Sequence, residues 1–412
     1  MTAITLRGAL LPDRSRRDLR LDSGRVTAVA PPGELPAGKS ELDLSGYLLL
    51  PAPAEPHAHL DKAGTWDLAD APPCDLPSAV SAWRRYAEYV TEDDVRTRAR
   101  RTLDDMLANG VTAVRTHADV LPGADPLRGL RALVGLREEL RGRLDLQVAV
   151  LHTDAPDEVL CQAAELGVDL LGGCPHLSVD PAAAIDRVLR LAERYGVGVD
   201  LHADENLSPS ATDLRLLADA VRRRGFAGPV TAGHCVSLGA TDPQDAMRVA
   251  KETAQAGIGV VTLPITNLYL QGRDHPTRTP RGLTAVRTLL DAGVTLAAGG
   301  DNIRDPFNPV GRADPLETAG LLVTAGHLTL EEAVHAVTNG SRAVLGMPAA
   351  GPQEGAVADL LAVRAGSLSE ALGAACPDRI VFKAGRIISR TTVVREFFEV
   401  DDGHVGDIAA KQ

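Results

Sequence analysis

Aromatic residues are scarce in this chain: five Phe, five Tyr and two Trp among 412 residues. A core of this size must therefore be packed from Leu, Val, Ile and Ala. Cysteine is scarce too. The five cysteines are odd in number and form no C-x-x-C pair, which argues against a disulfide framework and against a Cys-rich zinc site. A basic excess is also missing. Lys+Arg 43 against Asp+Glu 55 leaves a net charge of -12, so nothing marks a surface for nucleic acid or an anionic membrane. No apolar run approaches the roughly 18 residues needed to span a bilayer. The opening stretch MTAITLRGALLPDRSRR is broken by Arg7 and does not read as a secretory leader, so the expected compartment is the cytoplasm. What remains is an ordinary globular composition, long enough for one large domain and a smaller one.

Short apolar runs alternate with amphipathic ones through the middle of the chain. The stretches 112–117, 146–152, 168–176, 197–202, 230–234, 258–263 and 294–301 read as strands, and the run 48–59 makes eight. Between them lie helical patterns such as EDDVRTRARRTLDDMLANG, AAAIDRVLRLAERYG and TAVRTLLDAG, each closed by a glycine that suits a helix C-terminus. Eight strands alternating with helices predict an α/β fold, a (β/α)8 TIM-type barrel over residues 51–352. Residues 1–50 and 353–404 carry short strands broken by Gly, Asp and Pro. They predict one small β-sandwich domain built from both termini. The last residues, DDGHVGDIAAKQ, read as a loose tail.

Within PAEPHAHLDK, His57 and His59 stand two apart, so in a strand both imidazoles would share one face. A lone H-x-H pair is weak evidence of metal binding. Strand after strand, however, finishes on a residue of catalytic type: His59, His117, His152, His176 or nearby Cys174, His202, His234 and Asp301. In a TIM-type barrel the C-terminal strand ends carry the active site. The histidines therefore read as a converging set. Cys174 and Cys235 read as small buried apolar residues. Leu268 and Phe307 read as packing at the pocket rim, with Gln271 bonded to its backbone. His275, His327, His335 and His404 fall outside the strand ends and are given no role.

Seven ordered motifs, EPHAHLDK, ANGVTAVRTHADV, LDLQVAVLH, DLHADE, VTAGHCVSL, NLYLQGR and GGDNIRDPFNPVGRADPLETA, resemble the metal-dependent amidohydrolases and, within them, the cytosine deaminases. The resemblance implies the barrel and the clasping β-domain. It implies one divalent metal ion, Zn2+ or Fe2+, held by His57, His59, His202 and Asp301. Asp301 would also take a proton from the attacking water, His234 would orient that water, and Glu205 would be the general acid/base. By position, His117 and His176 read either as supports for the ligands from behind or as satisfied buried histidines. No lysine occurs in LHTDAP or GGCPHLS to bridge a second metal, and the H-x-E with P-C-x-x-C deaminase pattern is absent.

The substrate side departs from the cytosine pattern. His152 stands where those enzymes carry a glutamine, Asn302 where they carry a second aspartate, and Phe307 where they carry a tryptophan; Lys62 follows HLD as in relatives acting on other heterocycles. An amide-to-imidazole exchange changes which hydrogen bonds the pocket can make. The expected activity is hydrolytic deamination of a small heterocycle, a cytosine-like aminopyrimidine or a cyclic amidine, with release of ammonia. Hydrolysis of a ring amide or of an N-alkylamino triazine is the enzymatic alternative; a non-catalytic heterocycle-binding barrel is the other. The expected partner is a small molecule, with neither nucleic acid nor membrane, in a homo-oligomer.

Overall fold

The structure, a computed structural model, describes residues 3–71 and 75–398. Cys74, His404, the tail 401–412 and the end of the 353–404 segment lie outside the described residues. The barrel strands, first to eighth, are Ala54–Ala58, Ala113–Asp119, Asp145–Leu151, Leu170–Gly173, Gly198–Ala203, Val230–His234, Gly259–Thr262 and Leu296–Ala298. They pair in that order, all parallel. Strands buried on both faces need apolar residues throughout, which is why they appear as runs and not as alternations. The ring closes through a parallel bridge between Ala58 and Asp301, with the Asp301 N–H donating to the His57 carbonyl at 3.1 Å.

The helices follow from local chemistry. Pro181–Tyr195 begins where Asp180 accepts from the Ala183 N–H, and Pro181 takes the first turn, where its missing N–H costs nothing. It buries Ile185, Val188, Leu189, Leu191 and Ala192 against the barrel. Each fully buried aliphatic there contributes about 1.5–3 kcal/mol. It ends at Gly196, whose φ of 67° suits a residue without Cβ.

Several predicted elements differ in extent, the eighth strand, expected over 294–301, being only Leu296–Ala298. The run 48–59 is two strands in two sheets: Tyr47–Pro51 belongs to the terminal sheet and Ala54–Ala58 to the barrel. Pro51 and Pro53 have no N–H to donate, Ala52 donates to Asp359 in the terminal sheet, and the Pro53 carbonyl accepts from Thr112 in the barrel. The chain changes sheets there. The fourth strand stops at Gly173, because Pro175 opens a short 3-10 turn over Pro175–Leu177. TAVRTLLDAG is helical only over Val286–Asp291.

The terminal sheet runs Arg386–Thr391, Arg379–Lys383, Leu360–Arg364, Tyr47–Pro51, Ile4–Leu10, Arg16–Asp22, Arg25–Ala30, with Glu41–Asp43 beside Ile4–Leu10. Its two halves join at a single residue pair, Leu10 with Leu48. Leu6, Leu19 and Val26 from one half share a core with Leu49, Leu360 and Phe382 from the other. The sheet thus folds over itself as a sandwich. Arg379 clasps it to the barrel side through both oxygens of Asp314, at 2.9 and 2.8 Å. Among the described residues, no helix is long and apolar enough to cross a membrane.

Candidate metal centre and active site

Barrel geometry sends alternate residues of each strand inward, so Glu55, His57 and His59 form one ladder and Arg115, His117 and Asp119 another. At the C-terminal ends the ladders converge. His202 Nε2 lies 3.1 Å from His57 Nε2 and 3.1 Å from His59 Nε2. Asp301 Oδ1 lies 3.2 Å from His59 Nε2 and 3.8 Å from His57 Nε2. All four side chains are buried. Three imidazole nitrogens gathered this closely beside a carboxylate fit a cation between them. Ligands held about 2.0–2.1 Å from a tetrahedral Zn2+ sit about 3.3 Å apart, which matches the observed spacing. Both Asp301 oxygens lack a hydrogen-bond partner among the described residues. Burial, reinforced by the neighbouring imidazoles, holds His57 and His202 well below the usual histidine pKa. For His59, burial and then Lys62 act in the same direction. Their lone pairs are free to ligate. The residues present fit a divalent ion.

His234 ends its strand and Asp301 lies three residues beyond the eighth, both in the left-handed region, at φ 67° and 61°. Non-glycine residues held there cost roughly 1–3 kcal/mol and collect at functional sites. Glu55 helps to hold this corner, accepting the His57 N–H at 3.1 Å and the Gly300 N–H at 2.8 Å. His234 Nδ1 lies 3.0 Å from Asn267 Oδ1 and 3.5 Å from Glu205 Oε1. Burial pushes the Glu205 carboxyl up to about 8, so it is protonated at neutral pH. Gln271 donates to the Glu205 carbonyl at 3.3 Å, which ties the rim as expected.

The remaining predicted residues take distinct places. The His117 ring packs 4.0 Å from that of His57, with Nε2 3.4 Å from Asp200 Oδ1. His176 Nδ1 lies 3.2 Å from the His202 carbonyl and 3.4 Å from Asp213. A cavity of about 480 Å³ opens above the centre, and His152, Lys62, Asn302, Phe307, Glu205 and His234 are on its wall. Burial, then Arg187, lowers the His152 pKa to about 4, leaving a neutral imidazole. Asn302 is partly committed elsewhere, since its Nδ2 donates to Asp305 at 2.8 Å. Cys174 also lines the cavity and is not simply packed in the core, whereas Cys235 is fully buried. Leu268 turns outward, 38% exposed.

Sequence reasoning passed over Asp119, Trp83, Asn267, Glu55 and Asp200. Asp119 carried a readable signal, because it stands two residues after His117 and so on the same face. Glu55 carried the same signal two residues before His57. Trp83 sits on the helix Leu76–Ala87, which folds over the cavity, and donates to Asp119 Oδ2 at 2.5 Å.

A TIM-type barrel whose strand ends bring three imidazoles and a carboxylate beside a buried acid defines the class of metal-dependent hydrolases. Comparison with known proteins makes this specific. The amidohydrolase family pattern matches residues 82–394. The chain is 34% identical over 404 residues to a pterin deaminase of Rhizobium rhizogenes, covering 95% of this chain and 92% of that one. Among solved structures, the 5-methylcytosine deaminase of Klebsiella pneumoniae superposes with a TM-score of 0.86 at 28% identity, covering 96% of this chain and 99% of that one. The N-isopropylammelide isopropylaminohydrolase of Burkholderia multivorans gives a TM-score of 0.81 at 29% identity, covering 95% and 99%. The chain belongs to the amidohydrolase family, among its cytosine deaminase-like, metal-dependent members.

Proposed function

We propose that this protein is a hydrolytic deaminase of an amino-substituted nitrogen heterocycle, with a bicyclic, pterin-like ring the first candidate. The observation that carries the reading is the convergence of His57, His59, His202 and Asp301 beside the buried Glu205 on the wall of a cavity. The similarity to a pterin deaminase and a cavity roomier than one six-membered ring requires support the bicyclic choice. His57, His59, His202 and Asp301 would hold one divalent ion, Zn2+ or Fe2+. When bound, such an ion lowers the pKa of water and supplies hydroxide at neutral pH.

The chain's own groups manage the protons. Glu205 gives its proton to a ring nitrogen of the amidine as the carbon is attacked, which removes charge from the developing intermediate. Asp301 takes the proton shed by the attacking water. His234, its Nδ1 held by Asn267, orients the water through its other nitrogen. Glu205, now a carboxylate, relays the hydroxyl proton of the intermediate to the amine, which leaves as ammonia as the carbon becomes a carbonyl, and the proton on Asp301 returns to Glu205. One water is consumed for each ammonia released. A homo-oligomer belongs to the same reading, and sedimentation tests it.

The test is a coupled ammonia assay on metal-replete protein with pterin, cytosine, 5-methylcytosine, isocytosine, creatinine and an ammeline-type triazine. The expected result is ammonia from at least one member, abolished in Glu205→Gln. Release of an alkylamine from an N-alkylamino triazine, with no ammonia from the panel, would displace deamination in favour of the second hydrolytic reading.

A further inference from the structure

The cavity wall beside the metal centre carries an ion cluster that the chemistry above does not use. Lys62 is buried, 2% exposed, and its Nζ lies 3.4 Å from Asp61 Oδ1, 3.3 Å from Asp119 Oδ2 and 3.3 Å from His59 Nδ1. It also sits 5.3 Å from the Trp83 ring centre and 5.9 Å from that of Phe307. Charge-assisted bonds from an ammonium to a carboxylate usually measure about 2.7–2.9 Å, so neither carboxylate contact is tight. The third contact is weaker still. If His59 ligates through Nε2, the neutral ring carries its proton on Nδ1 and cannot accept from Lys62. One ammonium proton is left without an acceptor, and Lys62 lines the cavity.

Asp119 completes the pattern. Its Oδ2 is shared by Trp83 Nε1 and Lys62, which fixes the carboxylate. The side chain keeps 23% of its surface and lines the same cavity, so a second oxygen remains for a ligand N–H. A donor and an acceptor therefore stand side by side, with the indole of Trp83 beside them.

We propose that Lys62 and Asp119, braced by Trp83, form a subsite that reads a ring lactam, the adjacent C=O and N–H of an oxo-substituted aminoheterocycle. Lys62 donates to the carbonyl oxygen and Asp119 accepts from the ring N–H. The subsite lies one imidazole's width from the metal centre, because Lys62 touches the far nitrogen of His59. A ring bound there with its amidine carbon at the centre presents its oxo edge to this wall. This deepens the deaminase reading and rests on its ligand assignment for His59.

The test is equilibrium binding to metal-loaded Glu205→Gln protein, in which the ligand is not consumed. The probes are two matched pairs, isocytosine with 2-aminopyrimidine and pterin with 2-aminopteridine; the second member of each pair lacks the lactam. Tryptophan quenching reports binding, since Trp83 is on the cavity wall, and metal content is measured in parallel. The expected result is that the oxo member binds about 10- to 100-fold tighter, a preference largely lost in Lys62→Met and in Asp119→Asn. Affinity for the lactam-free members should change by less than about threefold, since they engage neither group. Should Lys62→Met lose metal through its contact with His59, Asp119→Asn carries the test alone; it bonds no histidine and keeps an acceptor for Trp83. An oxo preference unchanged in Asp119→Asn, or equal losses for both members of a pair, overturns the proposal. Lactam-dependent binding in a wild type that releases no ammonia would support the subsite and sink the deaminase reading. Ammonia release with no lactam preference would do the reverse.

Discussion

Two polar layers lie one above the other inside this barrel, two residues apart along the same strands, and they are built on opposite rules. The layer nearer the N-terminal ends is closed. Arg115 donates to Gln147 at 3.0 and 2.9 Å, to Asp200 at 2.8 Å, to Thr231 at 3.0 Å and to the Val344 carbonyl at 3.2 Å. Burial works against the charge of Asp200, but His117 and Arg115 outweigh it and hold that carboxyl below its usual pKa. The layer above is open. His57 Nδ1, His202 Nδ1, His234 Nε2 and both Asp301 oxygens are buried without hydrogen-bond partners among the described residues. Unpaired buried polar atoms cost about 1–3 kcal/mol each, so an apolar layer would serve stability better. The layer that supports the fold gives every guanidinium nitrogen of Arg115 an acceptor, with Asp200 Oδ1 left only the His117 ring at 3.4 Å; missing pairs gather in the layer that handles a ligand.

Removing the metal should have the largest effect. Dialysis against a strong chelator is expected to abolish ammonia release and lower the melting temperature, with both restored by Zn2+ or Fe2+. Saturation at a thousand times Kd is worth about 4 kcal/mol, which sets the scale of the melting shift. Full activity in protein shown to be metal-free would erase the distinction between the layers. Glu205→Gln comes next. Its kcat should fall about 10²- to 10⁴-fold with metal content and melting temperature retained, because the change touches only the open layer. A collapse in stability would place Glu205 in the scaffold instead.

Arg115→Met tests the closed layer. Losing the guanidinium leaves Asp200 buried with only the His117 ring beside it, which should cost about 3–5 kcal/mol in urea unfolding. Turnover per folded, metal-loaded molecule should change far less. Loss of turnover at unchanged stability would break the comparison from the other side. The smallest effect is in pH. If Glu205 is the acid, its carboxyl pushed up to about 8 by burial, kcat/KM should hold up to that pH and then fall roughly tenfold per unit. The stability of metal-free protein should move the same way. A carboxyl raised from its ordinary 4.5 to about 8 stabilises fully below 4.5 and loses that contribution as pH rises to about 8. Glu205→Gln should flatten this part of the curve, and unfolding midpoints across the range would show it.

The barrel was legible because each buried parallel strand is an apolar run ending on a residue with chemistry. Where strands broke that rule, the reading slipped. Pro51 and Pro53 end one strand and release the next, but between apolar neighbours they look like part of a single run. Pro175 cuts the fourth strand short in the same way. The residues proposed to hold the metal stood out in the sequence through ordered motifs, since each lies in a distinctive stretch. Their company was not. Trp83 has meaning only through Asp119, 36 residues away, and Arg115 only through Asp200, 85 residues away. Asn267 gains its place from a contact with His234. Such partnerships are properties of the closed barrel. Asp119 and Glu55 are the exceptions, since strand alternation from His117 and His57 pointed to them.

The bridge between Ala58 and Asp301 has a further consequence for how the molecule comes into being. The first and eighth strands meet only when nearly the whole barrel lies between them; the Glu55–Gly300 bond at that corner spans 245 residues. Contacts of such long sequence separation form late, after most of the loop-closure entropy has been surrendered. His57 and His59 come from one side of this seam and Asp301 from the other. A nascent chain can present the two early imidazoles, but the complete coordination sphere exists only once the last strand has docked. If these residues hold the ion, high-affinity metal uptake should mark the end of folding, and the bound ion would be a keystone, pinning together the two strands whose separation would open the barrel.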